Sequence, residues 1–361
     1  MGVFGMAKVE VLNGKKFSLN TAKREKNDEF YTQLSDIEKE MRYYRKHFKD
    51  KTVLCNCDDP FESDFFKYFA LNFNRLGLKE LIATCYVDSD VANDFLKLNE
   101  TKGNEGLGKN PYKAVVTQVF DKTGDGGINM EDIAELFKSG DNTLTALEGD
   151  GDFRSGECIE LLEEADVVVT NPPFSLFREY VAQLVEYGKK FIIVGNMNAV
   201  TYKEVFPLIK ENKMWLGVTR AGSGSMWFRI PEDTPVKKGQ KIDEDGNRLQ
   251  TIGNSAWFTN LEHKKRYEEI ILVHRYDSEK YPKYVNYDGI EVSKVVNIPL
   301  DYSGAMGVPI TFLGKYNPEQ FEIIKFGKGD DGKDLRLEDG KEPYFRILIR
   351  NRHPEKSEGE N

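Results

Sequence analysis

The sequence predicts an α/β protein built on a doubly wound, mostly parallel, Rossmann-like sheet with a C-terminal module. Short apolar runs at 52–57, 80–86, 165–170 and 191–194 carry the β-branched bias of buried strands. Helical spacing fills the gaps between most of them, and that alternation is the pattern of parallel strands with helices on both faces. After residue 218 the pattern changes to glycine-punctuated hairpins and then to a stretch rich in Tyr, Lys, Pro and Gly.

Residues 1–26 read as loosely ordered. Leu34, Ile37, Met41, Tyr44 and Phe48 recur at helical spacing with charges between them. Thr52 to Cys57 reads as a strand that puts Cys55 and Cys57 on one face and ends in Asp58-Asp59-Pro60. Ser63 to Arg75 reads as a helix stopped by Gly77, and Glu80 to Tyr86 as a second strand. Residues 98–150, rich in Gly, Asp and Asn, read as an insertion around one short helix at Met130 to Lys138. A strand at 165–170, a helix ended by Gly188, a strand Phe191 to Val194, a helix Thr201 to Glu211 and a strand Met214 to Val218 follow. Gly222, Gly224, Gly239 and Asp245-Gly246 predict hairpins, and Ala256 to Thr259 a strand that closes the sheet. The expected division is a domain over 1–260 and a module over 261–361, with a disordered tail from about residue 354.

With 361 residues, 39% of them hydrophobic and 31% charged, the chain has the composition of a globular protein. No apolar run reaches membrane-spanning length and the N-terminus lacks a signal pattern, so no membrane partner and a cytoplasmic location are expected. The four cysteines form no C-x-x-C pair and the four histidines are scattered, which argues against zinc. The segment Asp121 to Asp132 fits much of a calcium-binding loop, but position 3 is Thr and position 12 is Asp where a bidentate Glu is usual. It is read as a solvated loop, and no metal site is expected. The net charge of −9 neither implies nor excludes a nucleic acid, because binding depends on a local basic face.

The most informative residues are Asn171, Pro172, Pro173 and Phe174, between the 165–170 strand and a helix. The prolines fix φ and carry no N–H, so the turn's carbonyls stay open to a substrate. In such parallel sheets, sites gather at the carboxyl ends of strands, and Asp58-Asp59 falls at another such end. A strand, an Asn-Pro-Pro-aromatic turn and a helix resemble the arrangement with which amino methyltransferases hold a nitrogen nucleophile. The Asn171 side-chain oxygen and the Pro172 carbonyl would accept hydrogen bonds from an amino group and localise its lone pair, while Phe174 would stack on a ring. Such a pocket accelerates by alignment and electrostatics, without metal or obligatory base.

Further blocks carry a wider resemblance. They are Asn27 to Leu34, Cys55 to Pro60, Gly151 to Ser155, Thr170 to Phe177, Trp257 to Leu261 and Gly307 to Phe312. In this order they resemble the EcoRI-type adenine-specific DNA methyltransferases over most of the chain. The resemblance implies a class I methyltransferase domain, S-adenosylmethionine as cofactor and a C-terminal target-recognition module. It implies that Phe30, Tyr31 and Thr32 contact the methionine part of the cofactor. It sets Asp58, Asp59 and Pro60 at the loop where the family carries Asp/Glu-Pro-Phe-x-Gly-x-Gly, although Phe61 is followed here by Glu62-Ser63-Asp64-Phe65, without glycine. Asp152 and Phe153 resemble the pair that reads the cofactor's adenine. The implied partner is double-stranded DNA with its target adenine flipped out, methylated by a monomer, with a cognate restriction endonuclease acting separately as a compatible companion. The same turn also serves RNA and protein-glutamine amino methyltransferases, and only the family resemblance favours DNA.

Overall fold

The computed structural model describes residues 10–12, 15–16, 31–57, 63–85, 111–122, 124, 127–129, 132–133, 135–137, 142–219, 226–230, 237–244, 246–251 and 254–356. The chain divides into two compact units, Met1–Met197 with Thr219–Leu261, and Asn198–Val218 with Glu262–Asn361.

In chain order the first unit contains strands β1 (Glu10–Leu12), β2 (Tyr31–Thr32), β3 (Thr52–Cys55), β4 (Glu80–Thr84), β5 (Tyr112–Val116), β6 (Thr143–Ala146), β7 (Val167–Thr170), β8 (Lys190–Asn196), β9 (Trp227–Arg229), β10 (Gln240–Ile242), β11 (Arg248–Thr251) and β12 (Ser255–Thr259). Its main helices are α1 (Leu34–Met41), α2 (Asp64–Leu71), α3 (Gly156–Glu164) and α4 (Phe177–Glu186). Seven strands of this unit lie in its central sheet, in the order β12-β8-β7-β3-β4-β5-β6. The middle four, β8, β7, β3 and β4, run parallel. Strands β12, β5 and β6 pair antiparallel at the flanks. Every residue of β3 and β7 is buried, which is why Thr-Val-Leu-Cys and Val-Val-Val-Thr read as unbroken apolar runs rather than alternating ones.

Helices start where the sequence supplies a cap. The Ser63 hydroxyl accepts from Phe65 N at 3.1 Å, and Ser155 accepts from Cys158 N at 3.4 Å. The segment 34–48 is not one helix: after Met41 it tightens into i→i+3 bonds and resumes as a 3₁₀ turn at Arg45–His47. The helix from Ser63 also breaks, at Asn72, whose side-chain amide takes the Tyr68 carbonyl at 2.7 Å. It ends at Gly77 with φ +65°. Residues 98–150 are more than a polar insertion, since they supply β5 and β6 to the sheet edge. Cys57 is not on a strand face either. The chain turns there with φ +68°, and β3 has ended at Cys55.

A second, five-stranded sheet in this unit has the order β1-β10-β11-β9-β2. The predicted hairpin is β10–β11, with Ile242 opposite Arg248 and Gly246 at φ +85°, while Asp245 lies outside the described residues.

The second unit contains α5 (Phe206–Lys210), shorter than expected because Pro207 occupies its first turn and donates no hydrogen bond. It also contains β13 (Gly289–Glu291), β14 (Ala305–Pro309), β15 (Phe321–Phe326) and β16 (Arg346–Asn351), in the order β13-β14-β16-β15. At its core Tyr284 OH donates to Glu291, and Arg346 clasps the same carboxylate, with Nη2 to Oε1 at 2.6 Å. The Gly307 block is structural, as a Cβ there would meet the Tyr284 hydroxyl at 2.0 Å. The expected tail is anchored at least to residue 356: Glu355 N donates to Leu300 O at 2.9 Å.

Candidate active site

Three parallel strands of the first unit, β3, β4 and β7, end at the same edge, and a buried polar bond joins the ends of β3 and β7. Asn56, 2% exposed, follows β3. Its backbone carbonyl accepts from the Thr170 hydroxyl at the end of β7. Its side-chain oxygen accepts from Tyr180 OH on α4. One residue thus links the strand that leads into Asp58 with the strand and helix that bracket the Asn171–Phe174 turn. The next residue, Cys57, holds a left-handed φ of +68°.

Asp152 and Phe153 reach this edge through Gly151. Its φ is +76°, and a Cβ there would lie 2.4 Å from the Cys85 carbonyl oxygen, so only glycine lets the loop lie against the end of β4. Phe153 is buried, its ring edge-on to Tyr180 at 5.0 Å and its carbonyl accepting from Gln183 Nε2 at 3.1 Å. The Arg154 guanidinium lies 5.2 Å from the same ring. Arg154 also grips Asp152 with Nε to Oδ1 at 2.8 Å and Nη2 to Oδ2 at 2.6 Å, and reaches Glu179 at 2.8 Å. These hydrogen bonds from Arg154 hold the Asp152 carboxyl below the usual carboxylate range, outweighing its partial burial. The acid is therefore ionised and already engaged, with further lone pairs left to accept from a ligand.

Thr170, 0% exposed, ends β7, and the Asn171–Phe174 turn follows. The Oδ1 atom of Asn171 is shielded from solvent. Phe174 is nearly buried and meets the ring of Phe228 edge-on, with centroids 6.3 Å apart and planes at 86°. Phe228 lies on β9 directly opposite Thr32 on β2. The turn and the Thr32 segment therefore converge on one phenylalanine. The Tyr31 backbone lies in β2, whereas Phe30, Asp58, Asp59 and Pro60 lie outside the described residues, as do Asn27 to Glu29 and the glycines at 222 and 224.

Sequence reasoning did not single out Asn56 as a link, nor Tyr180, Gln183 and Phe228. Tyr180 and Gln183 sit three apart on the buried face of α4, a spacing any amphipathic helix shows. Phe228 stands in a short alternating strand with no chemical mark. Conversely, the Trp257 to Leu261 block has a framework role: Asn260 Oδ1 accepts from Phe191 N at 2.9 Å and its Nδ2 donates to Lys189 O at 2.8 Å.

Other candidates resolve into structural roles. The Asp132 carboxylate, fully buried, accepts from Lys122 N at 2.8 Å and Asn129 N at 2.9 Å, closing the 121–132 loop on its own backbone. Among the described residues no group of three or more His, Cys, Asp or Glu is arranged to hold a metal ion, and no helix is long and apolar enough to cross a membrane. In the second unit Arg266, in the basic run His263-Lys264-Lys265-Arg266, is buried over the Trp215 ring at 3.7 Å and bonded to Glu262 and Asn212, so it does not face solvent. A cleft of about 800 Å³ there is lined by the Glu291–Arg346 pair and by Lys280 and Lys341, which pair with Asp277 and Asp339.

Comparison with known proteins extends this picture. The profile of the family described as Adenine-specific methyltransferase EcoRI matches residues 18–352. The chain is 50% identical to Type II methyltransferase M.EcoRI of Escherichia coli over 94% of this chain and 97% of that one. It is 36% identical to Type II methyltransferase M.MpnI of Mycoplasma pneumoniae and 35% identical to Type II methyltransferase M.MgeORF184P of Mycoplasma genitalium, each over 92% of this chain and 98% of the relative. No solved structure gives a significant match. A match over nearly the whole length makes this chain a member of the EcoRI family of adenine-specific methyltransferases.

Proposed function

We propose that the chain is a site-specific DNA methyltransferase that transfers the methyl group of S-adenosylmethionine to N6 of a flipped-out adenine in duplex DNA. The observation that carries this reading is the Asn171–Phe174 turn at the carboxyl end of β7, bonded through Asn56 to the end of β3, in a chain of this family. The relatives' names, type II methyltransferases, favour DNA over RNA or protein as substrate. On this reading the enzyme works in the cytoplasm as a monomer, residues 261–361 take part in target recognition, and a cognate restriction endonuclease acts separately.

The available residues suit the cofactor. Asp152 is an ionised acceptor, Phe153 an aromatic platform, and Gln183 Oε1 and Thr32 Oγ1 are buried polar atoms with no hydrogen-bond partner among the described residues. When bound, S-adenosylmethionine supplies a methyl group activated on a sulfonium. The residues of the chain do the rest. Asn171 Oδ1 and the Pro172 carbonyl accept the two hydrogens of the adenine amine and concentrate its lone pair on nitrogen. Phe174 stacks on the base and, with Phe228 behind it, fixes its plane. The buried setting excludes water, and the amine loses its proton after transfer. Flipping the base costs about a few kcal/mol, which stacking and hydrogen bonds in the pocket offset.

The test is incubation of the full chain with methyl-labelled S-adenosylmethionine and unmethylated plasmid, total RNA or release-factor protein, with N6-methyladenine mapped on the plasmid by long-read sequencing. Label on adenine in one DNA motif is the expected result. Label on RNA or protein alone overturns the choice of substrate, and no binding of the donor overturns the cofactor reading.

A further inference from the structure

Four buried residues form one row across the five-stranded sheet. The register pairs Gln240 with Gln250, Gln250 with Phe228, and Phe228 with Thr32. Directly opposed residues of antiparallel strands project to the same face, so the four side chains stand side by side. None is more than 2% exposed. Phe228, inside the row, is the ring that packs edge-on against Phe174.

The glutamines in this row are oriented. Arg248 Nη2 donates to Gln240 Oε1 at 2.8 Å, and Gln240 Nε2 donates to Gln250 Oε1 at 2.9 Å. Arginine has no acceptor, so the polarity of this relay is fixed from its Arg248 end. Each amide turns its oxygen towards the arginine and passes its N–H onward. The relay ends at Gln250 Nε2, a buried donor with no hydrogen-bond partner among the described residues. A desolvated N–H has lost its water, and native interiors rarely leave one unanswered.

We infer that Gln250 is a base-reading residue of the adenine pocket, donating from Nε2 to a ring nitrogen of the target base, with Gln240 and Arg248 as positioning residues. The inference rests on the reading of Asn171–Phe174 as that pocket. Adenine suits the donor: with its amine engaged by the turn, its remaining polar edge atoms N1, N3 and N7 are all acceptors. Since the relay cannot reverse, Gln250 cannot offer its oxygen instead, and a base presenting an N–H at that point is rejected. Thr32, on the other side of Phe228, lies in the segment expected to face the cofactor, so Phe228 separates a base side from a donor side.

The experiment measures single-turnover methyl transfer to short duplexes carrying the motif mapped on the plasmid. The target base is adenine or its 1-deaza, 3-deaza or 7-deaza analogue, each replacing one ring nitrogen by C–H. The enzymes are wild type, Gln250→Met and the near-isosteric Gln250→Glu. Wild type is expected to slow roughly tenfold on one analogue, the scale of one good hydrogen bond. Both variants are expected to be slowed by a similar factor on adenine and no further on that analogue. Equal wild-type rates on all three analogues overturn the inference, with no dependence on whether a variant folds. So does a variant that loses the full factor again on the sensitive analogue. If wild type binds the donor but methylates no DNA, the pocket reading fails and this inference falls with it. If wild type methylates DNA and only the analogue pattern fails, the pocket reading stands alone.

Discussion

Replacing Tyr180 by Phe removes one oxygen atom and leaves the ring that supports Phe153 in place. The lost group is the hydroxyl that donates to Asn56 Oδ1. Asn56 is 2% exposed and Tyr180 is 0% exposed, so water does not readily replace the missing donor. Leaving a buried acceptor without its donor costs about 1–3 kcal/mol. In a unit of this size each kcal/mol lowers the melting temperature by about 2–4 °C. Removing Asn56 Oδ1 by Asn56→Ala deletes the same bond from the other side and keeps the backbone carbonyl that Thr170 uses. The two substitutions should therefore not add. Urea unfolding of wild type, Tyr180→Phe, Asn56→Ala and the double variant gives a coupling energy, expected within about 0.5–3 kcal/mol. The donor's dissociation constant, measured by titration calorimetry, should rise in both single variants, because Asn56 leads directly into the Asp58 loop. Additive stabilities together with unchanged donor affinity would refute the proposed link between the ends of β3 and β7.

Four further outcomes are expected. Gly151→Ala drives a Cβ towards the Cys85 carbonyl at a residue with φ +76°, and should cost at least about 1–3 kcal/mol in urea unfolding and weaken donor binding. Arg154→Met releases Asp152; with Arg154 about half exposed, the loss should be roughly 0.2–1 kcal/mol near neutrality. The pH dependence has a definite sign, because the folded pKa of Asp152 lies below its ordinary value of 3.8. The stabilisation is fully present above that value and is lost as the pH falls through the folded pKa, so the two proteins' unfolding curves should converge in acid. Arg346→Met strands the Glu291 carboxylate, 7% exposed, and should destabilise the second unit by about 3–5 kcal/mol, read as an earlier calorimetric transition. An Arg346→Met transition within 1 °C of wild type would show that the pair is dispensable, about 1 °C being less than a single kcal/mol produces.

The parallel strands were legible because burial on both faces forces unbroken β-branched runs, as in Val167-Val168-Val169. The candidate turn at Asn171–Phe174 was legible because the chemistry it resembles needs four adjacent residues. Strand β5 was legible only in part, as a strand over Val115 to Phe120, whereas β6 was obscured because it is mostly exposed and lies in a polar segment. Helix interruptions at Met41 and Asn72 depend on side-chain bonds that hydrophobic spacing does not report. The supporting residues of the site were hidden for a related reason. Asn56, Tyr180 and Gln183 act through contacts 30 to 124 residues apart in sequence, and Gln250 gains significance only from strand register. The loop after Asp59 carries no glycine where the resemblance sets the cofactor loop. The bonds around Asn56 show that the strand end before it is held by other means.

The most direct test of the account is the single-turnover rate of methyl transfer by Asn171→Ala and wild type, with donor and plasmid DNA both saturating. Removing the carboxamide deletes one acceptor of the amine while leaving the Pro172 carbonyl, Phe174 and the cofactor residues in place. The account predicts a fall of about 10²–10³-fold in rate, the scale of losing one preorganised transition-state contact, with donor affinity preserved. A rate within about threefold of wild type, less than one net hydrogen bond is worth, would contradict the claim that this turn holds the nucleophilic amine.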